Sequence, residues 1–450
     1  WTIGRICEVI PQAAIDPQFL EPLLQALVNQ LKAEPRVASN VCWAFTGLSS
    51  AAYDAACLAE DDPETYCLSK YFEFIVQQLL LTTDRQDGSQ SNLRAAAYEA
   101  LMEMIKNSPN DCYKTVQTTT MVILERFNQV LQIDNIVAPN DRQKIQDIQS
   151  SLCATLQSVL RKVKQEDAPV ISDAIMSALL MMFNSNLGKA GGVQEDALMA
   201  VSNLCDLLNE SFIKYMEAFK PILFMALKNH ADYQVCQVAI GLVGDISRAL
   251  KLGVIPYCDE IMNMLMQTLS NPEIHRDVKP QVLSVFGDIA LSIGGEFKKY
   301  LEPVMEVLMQ VMGIQVDQKD FEMRDYFCVL RESVLEAYTG IIQGLKGTDL
   351  KPHPDINIIQ AHVPLIVKYV VQTAQDPDLS ESTMTSCAGL IGDLCLAFGA
   401  PLLPYILDEN IVMPMLMAGK KSTASRTKST CSWALREIKE LKQASQPAVK

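Results

Sequence analysis

Three aspartates and three tryptophans fall in one recurring register along this chain. Gly-Asp stands in the middle of AIGLVGDISRAL (Ala239 to Leu250), VLSVFGDIALSI (Val282 to Ile293) and CAGLIGDLCLAF (Cys387 to Phe398), which aligns Asp245, Asp288 and Asp393. The three tryptophans, Trp1, Trp43 and Trp433, each stand four residues before the aligned positions of related segments, Arg5, Gly47 and Glu437. Four residues make about one helical turn, so indoles and carboxylates share one face. Where Asp is aligned, the residue one turn earlier is small: Gly241, Ser284 and Gly389. Asp196 extends the stripe, because it lies seven residues before the aligned Asn203 and nearly on the same face.

A stripe of this kind suits the binding of cations. Carboxylates attract Lys and Arg heads, while indole faces accept their stems. Packed helices lie about 8 to 10 Å apart, and a bound helix rises about 1.5 Å per residue. One acidic site per unit would therefore meet basic residues placed about every six or seven along a helical partner. A plainer role is open to any one of these residues: a Trp in the core, or a Gly-Asp that lets helices pack closely while the Asp bonds to backbone. The common register of all three indoles favours binding for the set.

Catalysis has little support. The four histidines, His230, His275, His353 and His362, fall in turns or near helix starts, with no HExxH, paired CxxC or Gly-rich phosphate loop. No catalytic residue, cofactor or metal is expected. The thirteen cysteines are scattered singly and read as reduced, buried thiols. Acidic residues outnumber basic ones 53 to 38, a net charge of -15, which disfavours nucleic acid and anionic lipid and favours basic partners. No apolar run approaches the roughly eighteen residues a bilayer requires, so no membrane span is expected.

The elements that must position the stripe repeat. Asp245 and Asp288 are 43 positions apart, with a second apolar segment, Ile255 to Leu269, between their helices. That period belongs to helix-turn-helix units of the HEAT type, so the expected fold is all-α, a HEAT-repeat solenoid. Ten units are readable as one continuous array over residues 1–450. Partner helices are expected at Phe19 to Lys32, Tyr71 to Leu81, Tyr113 to Leu131, Ile171 to Phe183 and Tyr300 to Met312, with Pro11, Pro22, Pro35, Pro221, Pro256, Pro280, Pro303 and Pro404 near helix starts. Polar insertions follow at Asp54 to Thr65, Thr82 to Asn92, Asn184 to Asp196 (with Gly188, Gly191 and Gly192) and Lys346 to Asn357. The opening at Trp1 within a helical pattern leads us to expect a fragment whose first repeat is truncated. Residues 419–450 carry eight Lys or Arg, Lys450 among them, against Glu437 and Glu440, and read as a basic cap on the last repeat.

The strings WTIGRICEVIPQAA, AEPRVASNVCWAFTGLSSAAY, GGVQEDALMAVSNL, YQVCQVAIGLVGDISRAL, VKPQVLSVFGDIALSIGGEFKKYLE and RESVLEAYTGIIQGLKG resemble the C-terminal half of importin-beta-type members of the karyopherin-beta family of nuclear import receptors. The resemblance covers essentially the whole chain. It implies a right-handed superhelix whose inner helices wrap the basic importin-beta-binding helix of importin alpha or snurportin-type adapters. The positions matching the family's contacts are Trp1, Trp43, Asp196, Asp245, Asp288, Asp393 and Trp433. It further implies a weak second site for FG-repeat nucleoporins between outer helices, near Tyr215 to His230, Cys258 to Leu269 and Tyr300 to Met312. Ran-GTP would be met mainly by an N-terminal half not present here, and the location would be cytoplasm, nucleus and nuclear envelope. A HEAT scaffold that assembles a multiprotein complex is the alternative of the same fold.

Overall fold

The computed structural model describes all residues except 58–61, 135–141, 187–191, 315–319, 349–350, 377–378, 408–409 and 446–450. Gly188, Gly191 and Lys450 therefore lie outside the described residues. Among those described there is no strand, and the chain is a succession of helix pairs. The aligned segments form the second helix of each pair: α1 (Thr2–Val9), α2 (Pro35–Ala56), α3 (Leu93–Lys106), α4 (Arg142–Lys162), α5 (Val193–Leu208), α6 (Tyr233–Leu250), α7 (Val278–Ile293), α8 (Phe321–Lys346), α9 (Glu381–Phe398) and α10 (Ser425–Ser445). The fold is that of a HEAT-repeat solenoid.

Contacts gather into two compact units. The first comprises Trp1–Leu208 with Tyr215–Phe219, and the second Asn209–Lys214 with Lys220–Lys450. Within the first, α1 packs on α2, α2 on α3, α3 on α4 and α4 on α5; within the second the same succession runs from α6 to α10. Partner helices cover these ladders from one side. Pro17–Gln30 lies on α2, Ser69–Thr83 on α3, Tyr113–Asp134 on α4, Ala168–Asn186 on α5, Ile255–Ser270 on α7, Lys298–Met312 on α8, Val363–Ala374 on α9 and Val412–Gly419 on α10. Each apolar stripe is thereby buried between partner and neighbour, and the core runs along the unit instead of closing into a sphere.

Local chemistry sets the helix limits. α6, α8 and α9 begin after Asp232, Asp320 and Ser380, whose side chains accept the N-H of Val235, Met323 and Thr383. α8 and α9 end at Gly347 and Gly399 with positive φ, a conformation that strains any residue with a Cβ. The prolines divide. Pro11, Pro35 and Pro256 open helices as expected, whereas Pro22, Pro221 and Pro303 lie inside them, where the missing N-H removes one bond of the ladder.

The partner helix expected at Ile171 to Phe183 is present, but the expectation that no apolar run is long enough for a bilayer needs correction. The window Ala168–Ser185 is long and apolar enough to cross a bilayer. Alternate apolar patches hid it, because Ser172, Asp173 and Ser177 interrupt the run. In the structure Ile175, Met176, Leu179, Met182 and Phe183 are buried, and the helix packs on α5 and on Tyr113–Asp134 as a core helix does.

Candidate binding cleft

In the second unit the five ladder helices line a cleft of about 740 Å³. The aligned positions Asp245, Asp288, Gly340 and Asp393 all face it, as do Gly241, Ser284, Glu336, Gly389 and Trp433 from one turn earlier on their helices. The helical period thus places four carboxylates and an indole in one concavity, with Arg248, Gln343 and Arg426 among them.

The carboxylates are not equivalent. Arg248 sits between two of them, bonding Asp245 on its own helix and Asp288 of α7 at 2.8 Å. Burial raises the Asp288 carboxyl above the usual range, and Arg248 opposes the rise. Asp393 is 7% exposed and accepts a 2.8 Å bond from Gln343 Nε2 of α8. Burial likewise raises its pKa, with that bond acting against the rise. Glu336 is exposed, and its Oε2 accepts a 2.7 Å bond from Ser284 Oγ. Among the described residues it forms no ion pair. The buried members therefore tie one repeat to the next, and Glu336 presents its charge most openly.

The glycines beside the aspartates have a packing role. A Cβ on Gly392 would lie 2.8 Å from Trp433 Cε3 and nearer still to its outer ring carbons, so the indole is seated on the α9 backbone. A Cβ on Gly340 would come within 2.6 Å of Gly287 Cα, where α7 and α8 meet backbone to backbone. Trp433 is only half-buried, so its remaining surface faces the cleft.

The first unit holds the other three sequence-predicted residues. Trp43, half-buried on α2, covers Gly4 of α1: a Cβ there would lie 2.5 Å from Trp43 Cε3. The two indoles thus use the same seat, a glycine one residue before the aligned position of the preceding helix. Trp1, just before α1, is 72% exposed. Asp196 accepts a hydrogen bond from Ser150 Oγ of α4, and its carbonyl accepts one from Gln157 Nε2 at 3.1 Å. Burial raises the Asp196 carboxyl, with the Ser150 bond opposing.

Sequence reasoning missed Glu336 and Arg248. Glu336 could have been found, since it stands four residues before the aligned Gly340, where the register places the tryptophans. Arg248 had no such signal, because its second partner lies on another helix. Within the ranges expected around an outer site, Cys258, Ile261, Met262, Leu265, Leu301, Val304, Met305 and Leu308 are buried core. Ten of the thirteen cysteines are buried, and burial pushes the Cys42, Cys387 and Cys395 thiols up to about 12, far from the thiolate that nucleophilic chemistry requires.

A family model described as importin subunit beta-1-like, TPR repeats, matches residues 22–420. Importin subunit beta-1 of Schizosaccharomyces pombe is 35% identical over 99% of this chain and 50% of the relative, and that of Arabidopsis thaliana is 32% identical over 97% and 50%. The chain thus spans about half the length of the curated relatives it matches. A crystal structure of importin beta superposes with a TM-score of 0.91 at 34% identity, covering 98% of this chain and 50% of that one. A chain solved as a Kap95:Nup1 complex gives 0.84 at 29%, covering 98% and 50%.

Proposed function

The chain belongs to the importin subunit beta-1-like family, and from that premise we propose that it is the part of a nuclear import receptor that grips a basic helical segment of a cargo adapter. Its work is binding and not catalysis, and it would operate in cytoplasm, nucleus and nuclear pore. The 42-residue step from Asn203 to Asp245 keeps the sequence period across the two units, which supports reading residues 1–450 as one array. The adapter class is that of importin alpha and snurportin.

The observation that carries this reading is the cleft of α6–α10. Asp245, Asp288, Glu336 and Asp393 give it negative charge at successive repeats, and Trp433 stands at one end with part of its ring uncovered. A helix with Arg or Lys every six or seven residues would set one cation per repeat against this wall. Long-range attraction from the carboxylates guides the partner, and salt screens it over about 8 to 10 Å. Contact between an indole face and a basic stem contributes roughly 0.5 to 2 kcal/mol and is less sensitive to salt. Trp1, Trp43 and Asp196 would supply the same chemistry in the first unit. The likeness to a chain solved with Nup1 supports a nucleoporin contact; that this contact is the weaker one and lies on the outer helices is part of the proposal.

Titration of a labelled basic helical peptide at several salt concentrations tests the reading. The wild-type chain should bind, and binding should weaken as salt rises. Glu336→Gln should lower affinity and flatten the salt dependence. A folded wild-type chain that ignores the peptide at low salt would end this reading.

A further inference from the structure

The cleft already contains a cation of its own. Arg248 leaves α6 and places its guanidinium between Asp245, three residues earlier, and Asp288 on the next helix. Its side chain remains 48% exposed, while those of Asp245 and Asp288 are 19% and 27% exposed. The two carboxylates are thus turned toward Arg248, and the arginine is the outermost member of the trio. The guanidinium fork suits this bridging, since its donors are fixed in a plane and can serve two carboxylates at once. One repeat further on, Glu336 of α8 faces the same cleft with only the Ser284 hydroxyl as its bonded partner among the described residues.

We propose that Arg248 is a built-in competitor for the partner's basic side chains: it occupies the Asp245–Asp288 site, lowers the affinity of the cleft for a basic helix, and directs the partner's nearest cation to Glu336. This rests on the function proposed above and specifies how that site is regulated from within. An approaching Arg or Lys at α6 and α7 meets a site already neutralised in part, and must displace a tethered guanidinium to reach the carboxylates. At α8 no such exchange is needed. The tether makes Arg248 effective, because it is held at the site by its own helix and does not dilute away. A receptor that must release its cargo gains from binding that is not as tight as its carboxylates allow.

The test is anisotropy titration of a labelled alanine-based helical peptide carrying arginine at every seventh position, at several salt concentrations, against the whole chain. Arg248→Gln should bind the peptide more tightly by roughly two- to fivefold, the factor a partly exposed ion pair gives, and with steeper salt dependence. Arg248→Lys keeps the charge but loses the fork, and should show a smaller gain; it also serves if Arg248→Gln unfolds, which circular dichroism reports. Asp288→Asn should cost less than about twofold in the wild-type background and more in the Arg248→Gln background. Wild-type binding with Arg248→Gln or Arg248→Lys binding equally or more weakly overturns this inference and leaves the proposed function standing. A failure of wild type and both folded variants to bind at low salt overturns both.

Discussion

Gly340→Ala isolates the close approach on which the ladder depends. The glycine lies within α8, and a Cβ there would meet Gly287 of α7 at 2.6 Å from both its Cα and its carbonyl carbon. Two effects oppose each other. Replacing a mid-helix glycine by alanine favours the helix by about 0.8 to 1 kcal/mol. Forcing a methyl into a filled interface costs about 1 to 3 kcal/mol. The atoms in the way are backbone atoms of a packed helix, which cannot rotate aside as a side chain can. The Gly287 carbonyl oxygen lies nearer still, so reaching ordinary contact at 3.4 Å would require the helices to part by about 1 Å, which loosens contacts along the whole α7–α8 face. The upper part of the range therefore applies, and the net loss should be about 1 to 2 kcal/mol. Gly389 in α9 is the control, because its Cβ would find nothing nearer than Thr430 Cγ2 at 3.9 Å. Gly389→Ala should stabilise by up to about 1 kcal/mol. Urea unfolding followed by circular dichroism compares the two variants under identical conditions. If Gly340→Ala is as stable as Gly389→Ala, the α7–α8 contact yields easily and the packing account of the recurring glycines is wrong.

The remaining predictions concern the cleft's other residues. Trp433→Ala should weaken peptide binding at low and high salt alike, and should cost roughly 1 to 3 kcal/mol of stability, less than the truncation of a fully buried tryptophan, because the ring is only half-buried; unchanged binding by a folded variant would make Trp433 a packing residue alone. Asp393→Asn should stabilise the chain at pH 7. Burial raises the folded-state pKa of Asp393 above its unfolded value, so the native state binds the proton more tightly and stability is lost as pH rises through that window. The advantage of Asn should accordingly shrink as pH falls toward about 4, near the unfolded carboxyl value. Urea midpoints at both pH values decide it, and a less stable Asn variant at pH 7 would show that the buried carboxylate gains more from Gln343 than it loses to burial.

The sequence by itself determined the repeat and its register. Helical periodicity puts residues four apart on one face whatever the tertiary context, and recurrence every 42 to 53 positions repeats that face from unit to unit. That is why Asp245, Asp288, Asp393 and Trp433, chosen by spacing, line one cleft. The partner helices were legible for the same reason, since each must bury an apolar stripe. Ala168–Asn186 shows the limit: the sequence marks it as a partner helix but understates its apolar length, and composition does not say whether protein or lipid covers a helix this apolar. Only the tertiary structure decided which carboxylates are open. Asp288 is bridged by Arg248 from α6 and Asp393 is bonded by Gln343 from α8, partners 40 and 50 residues away in sequence. Glu336, at a position the register had assigned to small or aromatic residues, emerges as the exposed acid. The physical reason is that register follows from geometry within one helix, whereas charge availability depends on what the neighbouring helix brings within hydrogen-bonding distance.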